Sequence, residues 1–141
     1  MIRRAFIAVS LATSLLFLAG PSALAQTAKQ GVVIQISDDS EKTWNQALNV
    51  TRNIQTEYGK DKVDIEVVVF GNGANLLKFD SPLANRIDDT LATGVQVVMC
   101  ENTMKARKLT AADMHPKVSY VKAGIVEIIE KQKQGWAVVR P

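Results

Sequence analysis

The chain has 141 residues, 17 Lys and Arg against 14 Asp and Glu, one His and one Cys, for a formal net charge of +3. Both the excess charge and the alkaline character lean on Arg3 and Arg4, and without them the formal charge is +1. That balance leaves no concentrated basic face of the kind nucleic-acid binding requires, and one His with one Cys excludes the usual zinc signatures.

The first 25 residues read as a secretory signal peptide. Met1-Ile2-Arg3-Arg4 is a basic start, Ala5 to Ala19 is apolar, and Ala23-Leu24-Ala25 fits a small-residue cleavage site. The apolar run is shorter than the roughly 20 residues a membrane helix needs. No later segment is long and apolar enough to span a membrane. The expected mature product is a single domain, residues 26–141, in the periplasm or secreted, with a polar and mobile leader at Gln26 to Gln30.

Gly31 to Ser37 is an apolar run that predicts a buried strand. Asp38-Asp39-Ser40-Glu41 offers N-cap oxygens and early negative charge to a following helix. Trp44, Ala47, Leu48, Thr51, Ile54 and Tyr58 recur at helical steps, and Gly59 closes the helix. Val63 to Phe70 predicts a second strand, alternating at first and then continuously apolar. Gly71 to Asn75 predicts a tight turn, and Ser81-Pro82 opens a helix marked by Leu83, Ile87 and Leu91 and closed by Gly94. Val95 to Cys100 predicts the third strand, Asn102 to Leu109 a short helix, and Thr110 to Asp113 a capping-box turn. Val118 to Val121, Gly124 to Gln134 and Trp136 to Val139 complete the pattern as strand, helix and strand. Regular alternation of strands and helices predicts an α/β fold, a five-stranded mainly parallel sheet with helices on both faces.

Cys100 is the candidate for chemistry. It ends a strand on the sheet edge where α/β proteins bind ligands. Asn102 and Thr103 open the next helix, so their free N–H groups and the positive end of the helix favour thiolate over thiol. Against this, lone cysteines are often simply packed, and Glu101 disfavours an anion beside it. Gly71 and Asn72 follow the second strand and lie at the same sheet edge, as does Asp38 after the first. Each also has an ordinary structural reading as turn or helix cap. Gly71-Asn72-Gly73 lacks the third glycine of a dinucleotide loop. His115 precedes Pro116 and is expected at the surface rather than as a base. No hydrolase elbow, cofactor motif or metal motif is present.

Taken in order, several of these pieces resemble the DsrE/DsrF-like family in its small exported branch. They are Ser37-Asp38, Ala47-Leu48-Asn49, Val69-Phe70-Gly71, Cys100-Glu101-Asn102-Thr103-Met104, and Gly124 to Ile128. The closing Gln132 to Pro141, with its Gln-x-x-Gly-aromatic element, completes the set. The resemblance implies a three-layer α/β/α domain that forms homo-oligomers, trimers or hexamers. It also implies a sulfur carrier in which Cys100 holds a persulfide and exchanges it with a thiol of a partner protein. This chain departs from the pattern in having no second cysteine and in carrying Lys122-Ala123 where a Pro-Ser pair is common. The alternative function is a non-catalytic oligomeric module that binds a small anion or nucleotide-like ligand, with Cys100 structural.

Overall fold

The computed structural model describes residues 29–141, so the signal-peptide reading of residues 1–25 and most of the leader lie outside the described residues. The elements in chain order are β1 (Gln30–Ile36), α1 (Glu41–Tyr58), β2 (Val63–Val69), a 3₁₀ helix (Gly71–Leu77) and α2 (Ala84–Ala92). They continue with β3 (Gln96–Cys100), α3 (Glu101–Ala106), a 3₁₀ turn (Ala111–Asp113), β4 (Ser119–Val121), α4 (Gly124–Lys133) and β5 (Ala137–Val139).

The five strands form one sheet in the order β4-β3-β2-β1-β5, with every pairing parallel. From β1 to β4 the chain steps one strand at a time in one direction. Right-handed crossovers therefore put α1, α2 and α3 on one face. The chain then returns from β4 across the whole sheet to β5, and the same handedness puts α4 on the other face.

The two faces are unequal. Val32, Ile34 and Ile36 of β1, with Val63, Ile65, Val67 and Val69 of β2, meet Trp44, Leu48, Leu76, Leu77, Ile87 and Met104 in the larger core. The smaller core consists of Val33, Val68, Val98 and Ile128, with Phe70, Val121 and Trp136 packed at its margin. Alternation along each strand makes this division, since successive side chains point to opposite faces.

Most local expectations hold. Ser40 caps α1, its hydroxyl accepting the Thr43 N–H at 3.3 Å. Thr110 and Asp113 form a reciprocal capping box. The turn after β2 is longer than expected: buried Ala74, Leu76 and Leu77 wind it into a 3₁₀ helix under the large core. His115 is a correction. It is only 4% exposed, its N–H donates to Leu77 O at 2.7 Å, and its imidazole lies 3.6 Å from Asp88. The loop folds back along the 3₁₀ helix through a bridge between Lys78 and Met114, which covers the ring. Among the described residues no helix is long and apolar enough to cross a membrane.

Gly31 fits because it has no side chain. A Cβ there would fall inside the Trp136 indole. We predict that Gly31→Ala displaces Trp136 and destabilises the domain by about 1–3 kcal/mol, measured by urea denaturation followed through tryptophan fluorescence.

Candidate functional site

The return crossover makes β3 and β4 neighbours whose following helices leave to opposite faces. Between such strands a crevice opens at their carboxyl ends, the usual ligand position of open α/β sheets. Cys100 pairs with Val121 of β4 at this point. Its side chain points to the α4 side, toward Phe70 and Gly124.

Cys100 is the N-cap of α3, and no side-chain hydrogen bond caps that helix. The sulfur stands where a capping oxygen would be. The Thr103 hydroxyl and the N–H groups of Thr103 and Asn102, in the first turn of the helix, favour its thiolate. The Gly124 N–H at the start of α4 favours the thiolate from the opposite face, and a Cβ on Gly124 would stand 3.3 Å from the Cys100 Cβ. Ala123, the N-cap of α4, makes no side-chain cap bond, so nothing competes from that residue's side chain for this end of the helix.

Burial is the largest single influence on this thiol and raises its pKa, the residue being 5% exposed. The donors together outweigh it. Gly124 contributes most, then the Thr103 hydroxyl, the Thr103 N–H and the Asn102 N–H, and the thiol is held below its ordinary value. The Asn102 N–H donates to Lys122 O at 3.2 Å.

Thr103 is held in turn. Gly71 adopts a left-handed conformation, φ 57°, directly after the end of β2, and its N–H donates to Thr103 Oγ1 at 2.9 Å. With its oxygen accepting there, the hydroxyl proton is free to face the sulfur. Arg107 fastens the same loops, donating to Gly71 O at 3.3 Å and to Asn75 Oδ1 at 2.8 Å. Asn75 Nδ2 donates to Asp39 Oδ2 at 2.9 Å, which ties in the loop after β1.

The structure thus gathers Cys100, Asn102, Thr103 and Gly71. Asn72 is exposed on the 3₁₀ helix. Asp38 lies in the neighbouring loop, where its carbonyl accepts the Trp44 indole N–H at 2.9 Å and its Oδ1 is buried without a partner. Gly124 escapes a reading of sequence because it is more than 20 positions from Cys100 and looks like an ordinary helix start. The one signal was the strand-then-glycine step in a chain whose fourth crossover must reverse. Thr103 was legible as a backbone donor, whereas its hydroxyl depends on Gly71.

On the other face of the sheet from the sulfur, a cleft of about 450 Å³ runs along α3 and β4, lined by Glu101, Met104, Lys105, Leu109 and Tyr120 among others. A tighter cavity of about 140 Å³ between α1 and α2 shares none of the residues around the sulfur. Among the described residues no group of His, Cys, Asp and Glu is arranged to hold a metal ion.

This arrangement can stabilise a sulfur anion, either the resting thiolate or the thiolate that departs when an outer sulfur is passed on. Thr103→Val removes one donor and should raise the Cys100 pKa by about one unit. Titration of thiolate absorbance measures it, and the rate of alkylation at neutral pH should fall accordingly.

The sequence profile of the DsrE/DsrF-like family matches residues 29–141, the whole described domain. A protein of unknown function, MTH1491 from Methanobacterium thermoautotrophicum, is similar in structure at TM-score 0.77 and 30% identity, covering 80% of this chain and 100% of its own. BT1422 from Bacteroides thetaiotaomicron, also of unknown function, is similar at TM-score 0.67 and 18% identity, covering 83% and 99%. The ychN protein from E. coli is similar at TM-score 0.63 and 12% identity, covering 81% and 99%. The last two show the fold alone. No curated protein matches this chain.

Proposed function

As this chain belongs to the DsrE/DsrF-like family, we propose that it is a sulfur carrier whose Cys100 thiolate takes up and passes on a sulfane sulfur. The observation that carries this reading is the seat of Cys100 between the starts of α3 and α4, where N–H groups of both helices favour its thiolate. Such donors keep the nucleophilic form populated and stabilise the Cys100 thiolate again as it departs in the second transfer.

The step is an exchange at sulfur. Cys100 thiolate attacks the terminal sulfur of a donor persulfide, a Cys100–sulfur bond forms, and the donor's S–S bond breaks. The donor leaves as a thiolate, and no net oxidation occurs. In the second step an acceptor thiolate attacks the terminal sulfur on Cys100, which returns as thiolate. The chain has one cysteine. The acceptor is therefore a thiol on another molecule, and a partner protein fits that role.

Residues 1–25 support placing this exchange in the periplasm or outside the cell. Ile125, Val126 and Ile129 of α4 and Val138 of β5 are exposed on the thinly covered side of the sheet. They support a homo-oligomer in which a second copy covers α4, since an apolar patch of this kind marks an interaction surface. Ile125→Glu with Ile129→Glu should lower the mass seen by analytical ultracentrifugation, while a wild-type monomer would remove this part of the reading.

One observation favours a second function, the low exposure of Cys100. On that reading the crevice holds a small anion or nucleotide-like ligand and the thiol is packing. Incubating residues 26–141 with polysulfide and weighing the product separates the two. The carrier gains one sulfur atom, removable by a thiol, and Cys100→Ser gains none. No gain in the native protein, or equal gain in Cys100→Ser, leaves the binding module.

A further inference from the structure

The buried charges of the small core are unexplained by the sulfur site itself. Glu66 stands in the middle of β2 with its side chain 3% exposed, and its Oε2 lies 2.7 Å from Lys131 Nζ of α4. Lys131 is 17% exposed, and its ammonium also lies 3.7 Å from Glu127 Oε1 and 4.2 Å from the Trp136 ring centre. The other oxygen of Glu66 is buried without a partner. Burial, followed by the Lys131 contacts that oppose it, leaves this carboxyl above its ordinary pKa. An ion pair in this setting seldom stabilises a fold relative to apolar residues. Its position suggests another use.

Glu66, Val68 and Phe70 point to one side of β2, and Gly124, Ile128 and Lys131 share one face of α4. The two rows meet in register. Gly124 sits against Phe70, Ile128 is in the cluster with Val68, and Lys131 pairs with Glu66. Gly124 and Ile128 are the buried residues of this helix, so Ile128 is its one buried apolar anchor. Apolar packing is non-directional. One isoleucine between valines resists sliding along a strand poorly, whereas a hydrogen-bonded ion pair has one short distance. The end of α4 opposite this pair carries Gly124, where an added Cβ would stand 3.3 Å from the Cys100 Cβ and whose N–H favours the Cys100 thiolate.

We propose that Glu66 and Lys131 are positioning residues for Cys100: their ion pair fixes where α4 lies along β2, and thereby where the Gly124 N–H meets the sulfur. The proposal uses the sulfur site described above, but its test reads thiol ionisation and needs no sulfur transfer. Failure of the carrier function and failure of this coupling are therefore separate results.

The test titrates Cys100 thiolate absorbance in residues 26–141 carrying Lys131→Met, Glu66→Gln or both. Lys131 is about 10 Å along the helix from Gly124, near one Debye length. If the charges acted only through their field, loss of Lys131 would raise the thiol pKa, loss of Glu66 would lower it, and the double variant would change little. If they act by position, all three raise it, by about 0.5 unit or threefold in thiolate at neutral pH. Lys131→Arg, which keeps the pair, should restore most of the native value. Shifts of opposite sign in the single variants, or a native value in a folded double variant, overturn the proposal. Should the double variant lose its native circular dichroism, Trp136→Phe carries the test, because it loosens Lys131 without altering charge. A rise there sustains the proposal and an unchanged value overturns it.

Discussion

The reversal after β4 is the constraint from which the site follows. Three crossovers step along the sheet in one direction, and the fourth must travel back over it to reach the free edge beside β1. Handedness then obliges α4 to take the opposite face from α1, α2 and α3. The start of α3 and the start of α4 are thereby brought together around the end of β3. A cysteine at that position has near it the N–H donors of two helices that belong to different layers. Neither helix alone supplies them, and α3 is a single short segment of six residues.

The surrounding loops are arranged to serve that meeting point. Gly71 holds the Thr103 oxygen, which leaves the hydroxyl proton for the sulfur. Arg107 and Asn75 join the turns after β1, β2 and β3 into one network. Each of these bonds lies at the carboxyl edge of the sheet, so rigidity is concentrated where the anion is stabilised. Burial opposes that anion, and only an organised set of donors overcomes it.

Much of this was legible in the chain. The strand and helix periods gave the α/β order, and the position of Cys100 ahead of Asn102 and Thr103 marked the sulfur as the place to look. What stayed hidden was whatever depends on the second face. Val63-Asp64-Ile65-Glu66 alternates like a half-exposed strand, yet Glu66 is buried because α4 returns across it. Gly124 reads as a helix start and becomes a donor for the same reason. His115 looks like a loop residue, and the chain's fold back against Leu77 encloses it. Asn72 and Gly71 are adjacent in sequence, but the 3₁₀ helix turns one toward solvent and the other toward Thr103. Periodicity reports which side of its own element a residue occupies. It carries no information about which distant element will cover that side.

The inequality of the two cores has a consequence for reagents. Four buried apolar residues hold the α4 layer, against twenty-one on the other face. Local opening occurs where the fewest apolar contacts must be surrendered, so α4 is the part that lifts at least cost. Lifting it uncovers the thiol and at the same moment withdraws the Gly124 N–H from it. Accessibility and ionisation thus trade against each other in this chain. A small nucleophile or electrophile that slips in beside a seated helix meets an activated sulfur, and a bulky one that must pry the helix away meets a dull one.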